Sequence, residues 1–247
     1  MKYLFLIGVI LLIGLSACKK ERPSNPVDVE TLDEAWMKLS LTGQQRGVSA
    51  IYGSIDDTLV VATMYRIYIT TDRGASWQLV SEANVGISGF YMVDGELCAF
   101  STFRFEGEDE FATTPFLYSV DHGRTWSSNR KFGYQVYDTI RRIRDRVSVE
   151  GEGYYRIDNN LQLTDNSGMS FVHGPNSIIK GREGFEESVY FPFKRYLNYL
   201  HLDGSGRLYA GAESTRFEAV VEGNVRIFPA HSDSAILYVS RKPIGEW

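Results

Sequence analysis

An all-β chain arranged as a β-propeller is what this sequence predicts, and three observations carry that expectation. An octet recurs: Thr70-Thr71-Asp72-Arg73-Gly74-Ala75-Ser76-Trp77 matches Ser119-Val120-Asp121-His122-Gly123-Arg124-Thr125-Trp126 position for position. A weaker copy, Thr164-Asp165-Asn166-Ser167-Gly168-Met169-Ser170-Phe171, has Asn166 in place of the Asp and Phe171 in place of the Trp. The copies begin at residues 70, 119 and 164, so they stand 49 and 45 residues apart, the length of a four-stranded blade. Short apolar runs are separated by turn dipeptides such as Asp56-Asp57, Asp94-Gly95 and Gly223-Asn224. Aromatic residues make up 13% of the chain, with 15 Tyr and 14 Phe, which suits strands, and no amphipathic helix of useful length is present.

Strands fall into register around the octets. The first blade reads as 48–52, 58–62, 67–70 and 77–81, and the second as 87–93, 96–101, 115–120 and 126–131. The third reads as 136–144, 146–151, 161–164 and 171–173. A fourth, without an octet, reads as 199–202, 207–211, 217–222 and 225–228. Residues 235–240 start a further blade, and 34–40, with Trp36, can complete it by joining the N- and C-terminal strands. About five blades are expected, with four as the alternative.

The octets resemble the Asp-box, or bacterial neuraminidase repeat, S/T-x-D-x-G-x-S/T-W, of sialidases, sortilin-type receptors and photosystem-assembly propellers. The resemblance covers 48–171 well and the remainder loosely. Its residues here are Thr70, Asp72, Gly74 and Trp77, then Ser119, Asp121, Gly123 and Trp126, then Asn166, Gly168 and Phe171. Their chemistry is structural: Asp accepts hydrogen bonds from turn amides, Gly permits a backbone angle others resist, and Trp packs into the blade. The resemblance implies that these boxes lie at the periphery, away from any ligand.

The N-terminus carries a second resemblance. Lys2 precedes the apolar run 3–14, which is shorter than the ~20 residues a membrane span needs. Leu15-Ser16-Ala17-Cys18 follows and resembles the bacterial lipobox. That implies a signal peptide over 1–17, a lipid on Cys18 and attachment to the membrane through it. Residues 18–33, polar and containing Pro, read as a flexible tether, and 34–247 as the propeller domain. In the lipoproteins this N-terminus resembles, acidic residues just after the Cys often mark surface export; Lys19-Lys20-Glu21 departs from that, so the resemblance implies the periplasm-facing side of the outer membrane rather than the cell surface.

Other classes of chemistry find little support. Net charge is −5, which does not suggest nucleic acid. Cys98 lies within the apolar run 97–100 and reads as a buried, inert thiol, with no disulfide framework. The His residues at 122, 173, 201 and 231 share no metal spacing, and no metal or cofactor is expected.

Alternation of strand direction places every long connection on the face opposite the octets: 102–114, 152–160, 174–198 and 212–216. Loops carry function where strands carry packing, so that face is the expected ligand face. Its candidates are Phe103, Arg104, Arg141, Arg142, Arg144, Tyr154, Tyr155 and Tyr190. The acidic run Glu106, Glu108, Asp109 and Glu110 reads as a solvated loop or a cation site, though without the order of a Ca²⁺ loop. The three arginines at 141, 142 and 144 are expected on an inner strand, where they clamp an anion or pair with neighbouring blades. The tyrosines either stack on a sugar ring or pack. The expected function is binding or scaffolding, with a protein, peptide or glycan partner. A sialidase-like exo-glycosidase is the alternative; it needs an Arg cluster, a Tyr–Glu pair and an Asp acid. The Arg-Ile-Pro tripeptide of that family is absent, and Arg226-Ile227-Phe228-Pro229 differs from it.

Overall fold

The computed structural model describes residues 33–41, 47–130, 139–151, 153–163, 171–182, 184–217, 229–232 and 234–244. All belong to the compact unit Leu32–Trp247; the expected signal peptide, Cys18 and nearly all of the tether lie outside the described residues. Every named element is a strand. After β1 (Trp36–Ser40), β2 (Val48–Gly53), β3 (Leu59–Thr63), β4 (Arg66–Thr70) and β5 (Gln78–Glu82) pair in sequence as an antiparallel sheet. The run Leu-Val-Val-Ala-Thr of β3 is buried throughout, as a middle strand covered on both faces must be, whereas β5 at the edge is largely open.

The second sheet is β6 (Gly89–Val93), β7 (Glu96–Glu106), β8 (Asp109–Ser119) and β9 (Arg142–Ile143). The third joins β10 (Arg146–Val149) to β11 (Gly153–Asp158), then passes a separate hairpin of β12 (Leu161–Leu163) and β13 (Phe171–His173). It resumes with β14 (Ser177–Arg182) and β15 (Phe185–Val189). The last sheet takes β16 (Arg195–Leu202), β17 (Leu208–Phe217), β18 (Pro229–Ser232) and β19 (Ile236–Ser240). Its outermost strand is β1, with Trp36 opposite Ser240 and Ser40 opposite Ile236.

The chain is therefore all-β, with four antiparallel sheets arranged as a four-bladed β-propeller. The four-blade alternative holds because the strands assigned above to a fourth blade and to an unfinished fifth share one sheet, β16-β17-β19-β1. The expected strands within 218–228 lie outside the described residues. The third blade also differs. Its middle pair is β11 with β14, and β12 pairs with β13 in a separate two-stranded sheet; residues 164–170 of the weak octet copy lie outside the described residues.

Neighbouring sheets meet through buried polar contacts as well as apolar ones. Between the last sheet and the first, the Tyr209 hydroxyl accepts from Ile55 N at 2.8 Å and donates to Asp203 Oδ2 at 2.8 Å. Ser54 Oγ donates to the same carboxylate at 2.7 Å. Within the last sheet, Arg195, fully buried, ties β16 to β17 and β19, donating from Nε to the Tyr238 hydroxyl at 2.8 Å and from Nη1 to Ser214 O at 3.1 Å. At the centre, the buried Tyr199 hydroxyl faces Phe90 N at 3.5 Å, and a Cβ on Gly89 would meet Ala112 Cβ at 2.5 Å. The first contact joins β16 of the last sheet to β6 of the second, and the second is a close approach within the second sheet.

Candidate functional site

The octets fix which face is which. Thr70 Oγ1 donates to Asp72 Oδ1 at 2.8 Å and accepts from Gly74 N at 3.0 Å. Asp72 accepts from Ser76 N at 2.9 Å and Ser76 Oγ at 2.5 Å. The second octet repeats this: Ser119 Oγ to Asp121 Oδ1 at 2.8 Å, Gly123 N to Ser119 Oγ at 2.8 Å, and Thr125 N and Oγ1 to Asp121 at 2.9 and 2.6 Å. The Ser76 hydroxyl and amide, with Thr70, hold the Asp72 carboxyl down at about 2. Burial pushes Asp121 up, but the bonds from Thr125, Ser119 and the Arg124 backbone outweigh it and bring it to about 2. Gly74 (φ 80°) and Gly123 (φ 88°) take the left-handed turn that this wrapping requires.

Trp77 and Trp126 are half-buried against the main core. Trp126 donates from Nε1 to Gly123 O at 3.0 Å and stacks on Phe90 at 5.5 Å. Trp77 Nε1 is buried with no hydrogen-bond partner among the described residues. Asn166 and Gly168 lie outside the described residues, and Phe171 opens β13.

On the opposite face a cavity of about 490 Å³ opens where connections from all four sheets converge. The first sheet supplies Ser49, Met64 and the link through Ile87 and Ser88. The second supplies Ser101, Phe103, Phe105 and Glu110, and Arg144 enters from the link to the third. Asn159 and Asn176 flank the inserted hairpin, and the last sheet adds Tyr196, Leu197, Asn198 and Glu213. The expected loop 102–114 is instead a long hairpin, the outer ends of β7 and β8 turning at Gly107-Glu108. It lifts Phe103 and Phe105 to the cavity mouth, 52% and 70% exposed, with their rings perpendicular at 6.2 Å.

The acidic run lies on that hairpin, with Glu106 and Glu108 exposed, and three of its four carboxylates are in ion pairs. Glu106 pairs with Arg104 and with Arg141 (2.7 Å), Asp109 with Arg146 (2.7 Å), and Glu110 with Arg144. Arg141, Arg142 and Arg144 correspondingly do not lie on an inner strand converging on an anion. They form the link around β9, where carboxylates of the second-sheet hairpin draw Arg141 and Arg144 into ion pairs and Arg142 stands opposite Ala112. Of this group Arg144 reaches the cavity, 7% exposed, with its guanidinium 4.7 Å from the Phe103 ring centroid. Burial raises Glu110, and the Arg144 charge partly reverses that.

The tyrosines divide. Tyr155 is 2% exposed in the core between the third and last sheets. Tyr154 donates to Glu186 Oε1 at 2.7 Å on the third sheet, and Tyr190 donates to Asp33 Oδ2 at 3.0 Å while its carbonyl accepts from Trp36 Nε1 at 2.8 Å. None lines the cavity. The expected connections 152–160 and 174–198 are largely strand, which removes these residues from the face: β11, β14 and β15 fill them. Segment 212–216 likewise continues β17.

The cavity residues that sequence reasoning passed over are Asn159, Asn176, Asn198, Tyr196 and Glu213. Asn176 spends its amide on Asp158 O and Asn159 Oδ1 and accepts from Leu197 N, tying the inserted hairpin to β16. Asn198 donates to Glu213 Oε1 at 3.1 Å. One signal was available: Arg195, Leu197 and Tyr199 are buried while Tyr196 and Asn198 between them are half-open, the period-2 pattern of a strand with one solvated face.

A second cavity of about 390 Å³ lies on the octet face, between Tyr52, Ser54, Asp57, Arg124 and His201. Its polar groups are engaged with one another. His201 Nε2 meets Gly53 O at 2.9 Å, and burial holds the imidazole down at about 4, so it is neutral near pH 7. Arg124 donates to Thr58 Oγ1 at 3.3 Å. This face is a seam between sheets. Cys98 is fully buried, and burial with the nearby Glu96 charge pushes its thiol up to about 12.

No protein-family model matches this chain, and no curated protein matches it. Among solved structures, YCF48 from Cyanidioschyzon merolae is similar at a TM-score of 0.29 and 12% identity, over 78% of this chain and 74% of that one. The N-terminal domain of Nup159 is similar at 0.23 and 10% identity, over 76% of this chain and 64% of that one. A chain in the S. cerevisiae structure of a Dbp5 variant bound to Nup159, a Gle1 variant, IP6 and ADP scores 0.25 at 9% identity, over 78% of this chain and 75% of that one. The architecture given above rests on the strand order, not on these superpositions.

Proposed function

We propose that this chain is a lipid-anchored binding propeller of a bacterial envelope. Its ligand, a protein, peptide or glycan, sits in the cavity opposite the octets. The carrying observation is the convergence of connections from four sheets on one cavity of about 490 Å³, with Phe103 and Phe105 exposed at its mouth. The octets, whose carboxylates are fully occupied by their own turns, are read as Asp-boxes with a structural role. The anchor is supported by Leu15-Ser16-Ala17-Cys18 after the apolar run, and the periplasm-facing side by Lys19-Lys20.

A sialidase-like glycosidase is less well supported. Its carboxylate clamp needs several free arginines in one pocket, whereas Arg141 is paired with Glu106 and Arg144 with Glu110. Ligand-observed NMR with a fragment and oligosaccharide library tests the site. Hits should vanish in Ser101→Trp, which fills the cavity, and persist in Arg124→Ala on the other face; the reverse pattern sinks the assignment. Cys18→Ala should release the chain from membranes after a salt wash. Retention would remove the anchor.

A further inference from the structure

Resting on the cavity reading above, we infer that the ligand is the neutral pyranose end of a glycan. Charge argues first. Arg144 is the arginine of the cavity wall and is neutralised by Glu110, while Glu213 is held by a neutral amide, Asn198 Nδ2. An acidic sugar entering here meets the uncompensated carboxylate of Glu213 and no free cation among the described residues of the wall.

Hydrogen-bonding capacity argues next. The Ser49, Ser88 and Ser101 hydroxyls donate to Ala62 O, Thr102 O and Thr114 O, so each presents only lone pairs to the cavity. Arg144, more than nine-tenths buried, has an Nε–H with no acceptor among the described residues. A wall with acceptors on one side and an unused donor on another suits sugar hydroxyls, each of which donates and accepts.

The backbone argues against a peptide laid in as an added strand. Its polar groups at the wall are already paired: Ser88 N with Phe100 O, Arg144 N with Glu110 O, Asn176 N with Arg195 O, and Leu197 N with Asn176 Oδ1. Strand addition needs an open edge, and recognition here falls to side chains. Phe103 and Phe105 complete the fit, because each exposed ring, set at 89° to the other, offers its own flat apolar face to the C–H face of a pyranose at the mouth.

The test uses the full mature chain in a non-glycosidic detergent. The probes are neutral trisaccharides of glucose, galactose, mannose and N-acetylglucosamine, with sialyllactose as acidic probe and trilysine as basic probe. Calorimetry and saturation-transfer NMR should find a neutral trisaccharide bound more tightly than either charged probe. Phe103→Ala and Phe105→Ala, both exposed and so compatible with folding, should each weaken it about 3- to 10-fold, the worth of one aromatic contact. Ser101→Trp, checked for folding by its thermal melt, should abolish it. No neutral sugar bound, or sialyllactose or trilysine bound more tightly, overturns the inference. If fragments still occupy the cavity in that case, the cavity reading survives alone. A neutral sugar held equally by Ser101→Trp removes both.

Discussion

Gly123 of the second octet stands directly against Val60 of the first sheet: a Cβ there would fall 2.7 Å from Val60 Cγ2. Gly74 stands in the same relation to Leu39 of β1, at 2.9 Å from Cδ2. Each octet therefore closes its own hairpin and also keys it into the sheet before it. The glycine is needed twice, for its left-handed backbone and for the space its missing side chain leaves.

Gly123→Ala and Gly74→Ala should each destabilise the fold by about 1–3 kcal/mol from overpacking, with about 1 kcal/mol more from the left-handed backbone. Urea titrations measure this. A cost within error of zero at both sites would mean that the turns slide freely past Val60 and Leu39.

Acid should loosen the octets over a defined window. The Asp72 and Asp121 carboxyls are lowered to about 2 from an ordinary 3.8. A depressed folded value means the stabilisation is complete above pH 4 and is lost as pH falls from about 4 to about 2. Thermal melts across that range should drop more steeply for wild type than for the Asp72→Asn/Asp121→Asn double variant. Parallel curves would show that other carboxylates dominate acid unfolding.

The two octet tryptophans should not be equivalent. Trp126→Phe removes an indole donor that bonds Gly123 O, and should cost about 1 kcal/mol. Trp77→Phe removes a buried Nε1–H that has no partner among the described residues, and should cost less. Paired chemical denaturation decides; a larger cost at Trp77 would contradict the assignment.

Glu110→Ala should be severe, about 3–5 kcal/mol, because it leaves Arg144 charged at 7% exposure. Combining Arg144→Met with Glu110→Leu should recover much of that loss. If the double variant is no better than the single one, the pair contributes more than mutual neutralisation.

Much of the propeller was legible in the sequence, for physical reasons that also explain the gaps. The octet spacing and the continuous apolar runs of β3, β4 and the first half of β7 place the first two sheets and distinguish the octet face from the face opposite. The run Phe-Glu-Glu-Ser-Val of β15 was invisible as a strand, because four of its five residues are exposed and no apolar alternation survives. The hairpin tip read as a loop because its charges are satisfied by Arg104, Arg141, Arg144 and Arg146, contacts that no local pattern encodes. The cavity asparagines belong to strand ends and links that meet only after the sheets assemble.

The most direct measurement for the central claim is hydrogen–deuterium exchange with and without a bound probe, either the tightest trisaccharide or the best fragment hit. Protection is expected over the cavity segments 86–88, 101–110 and 196–198. Protection confined to 53–58, 122–124 and 201–204, the lining of the other cavity, would place the site among the octets and contradict the account.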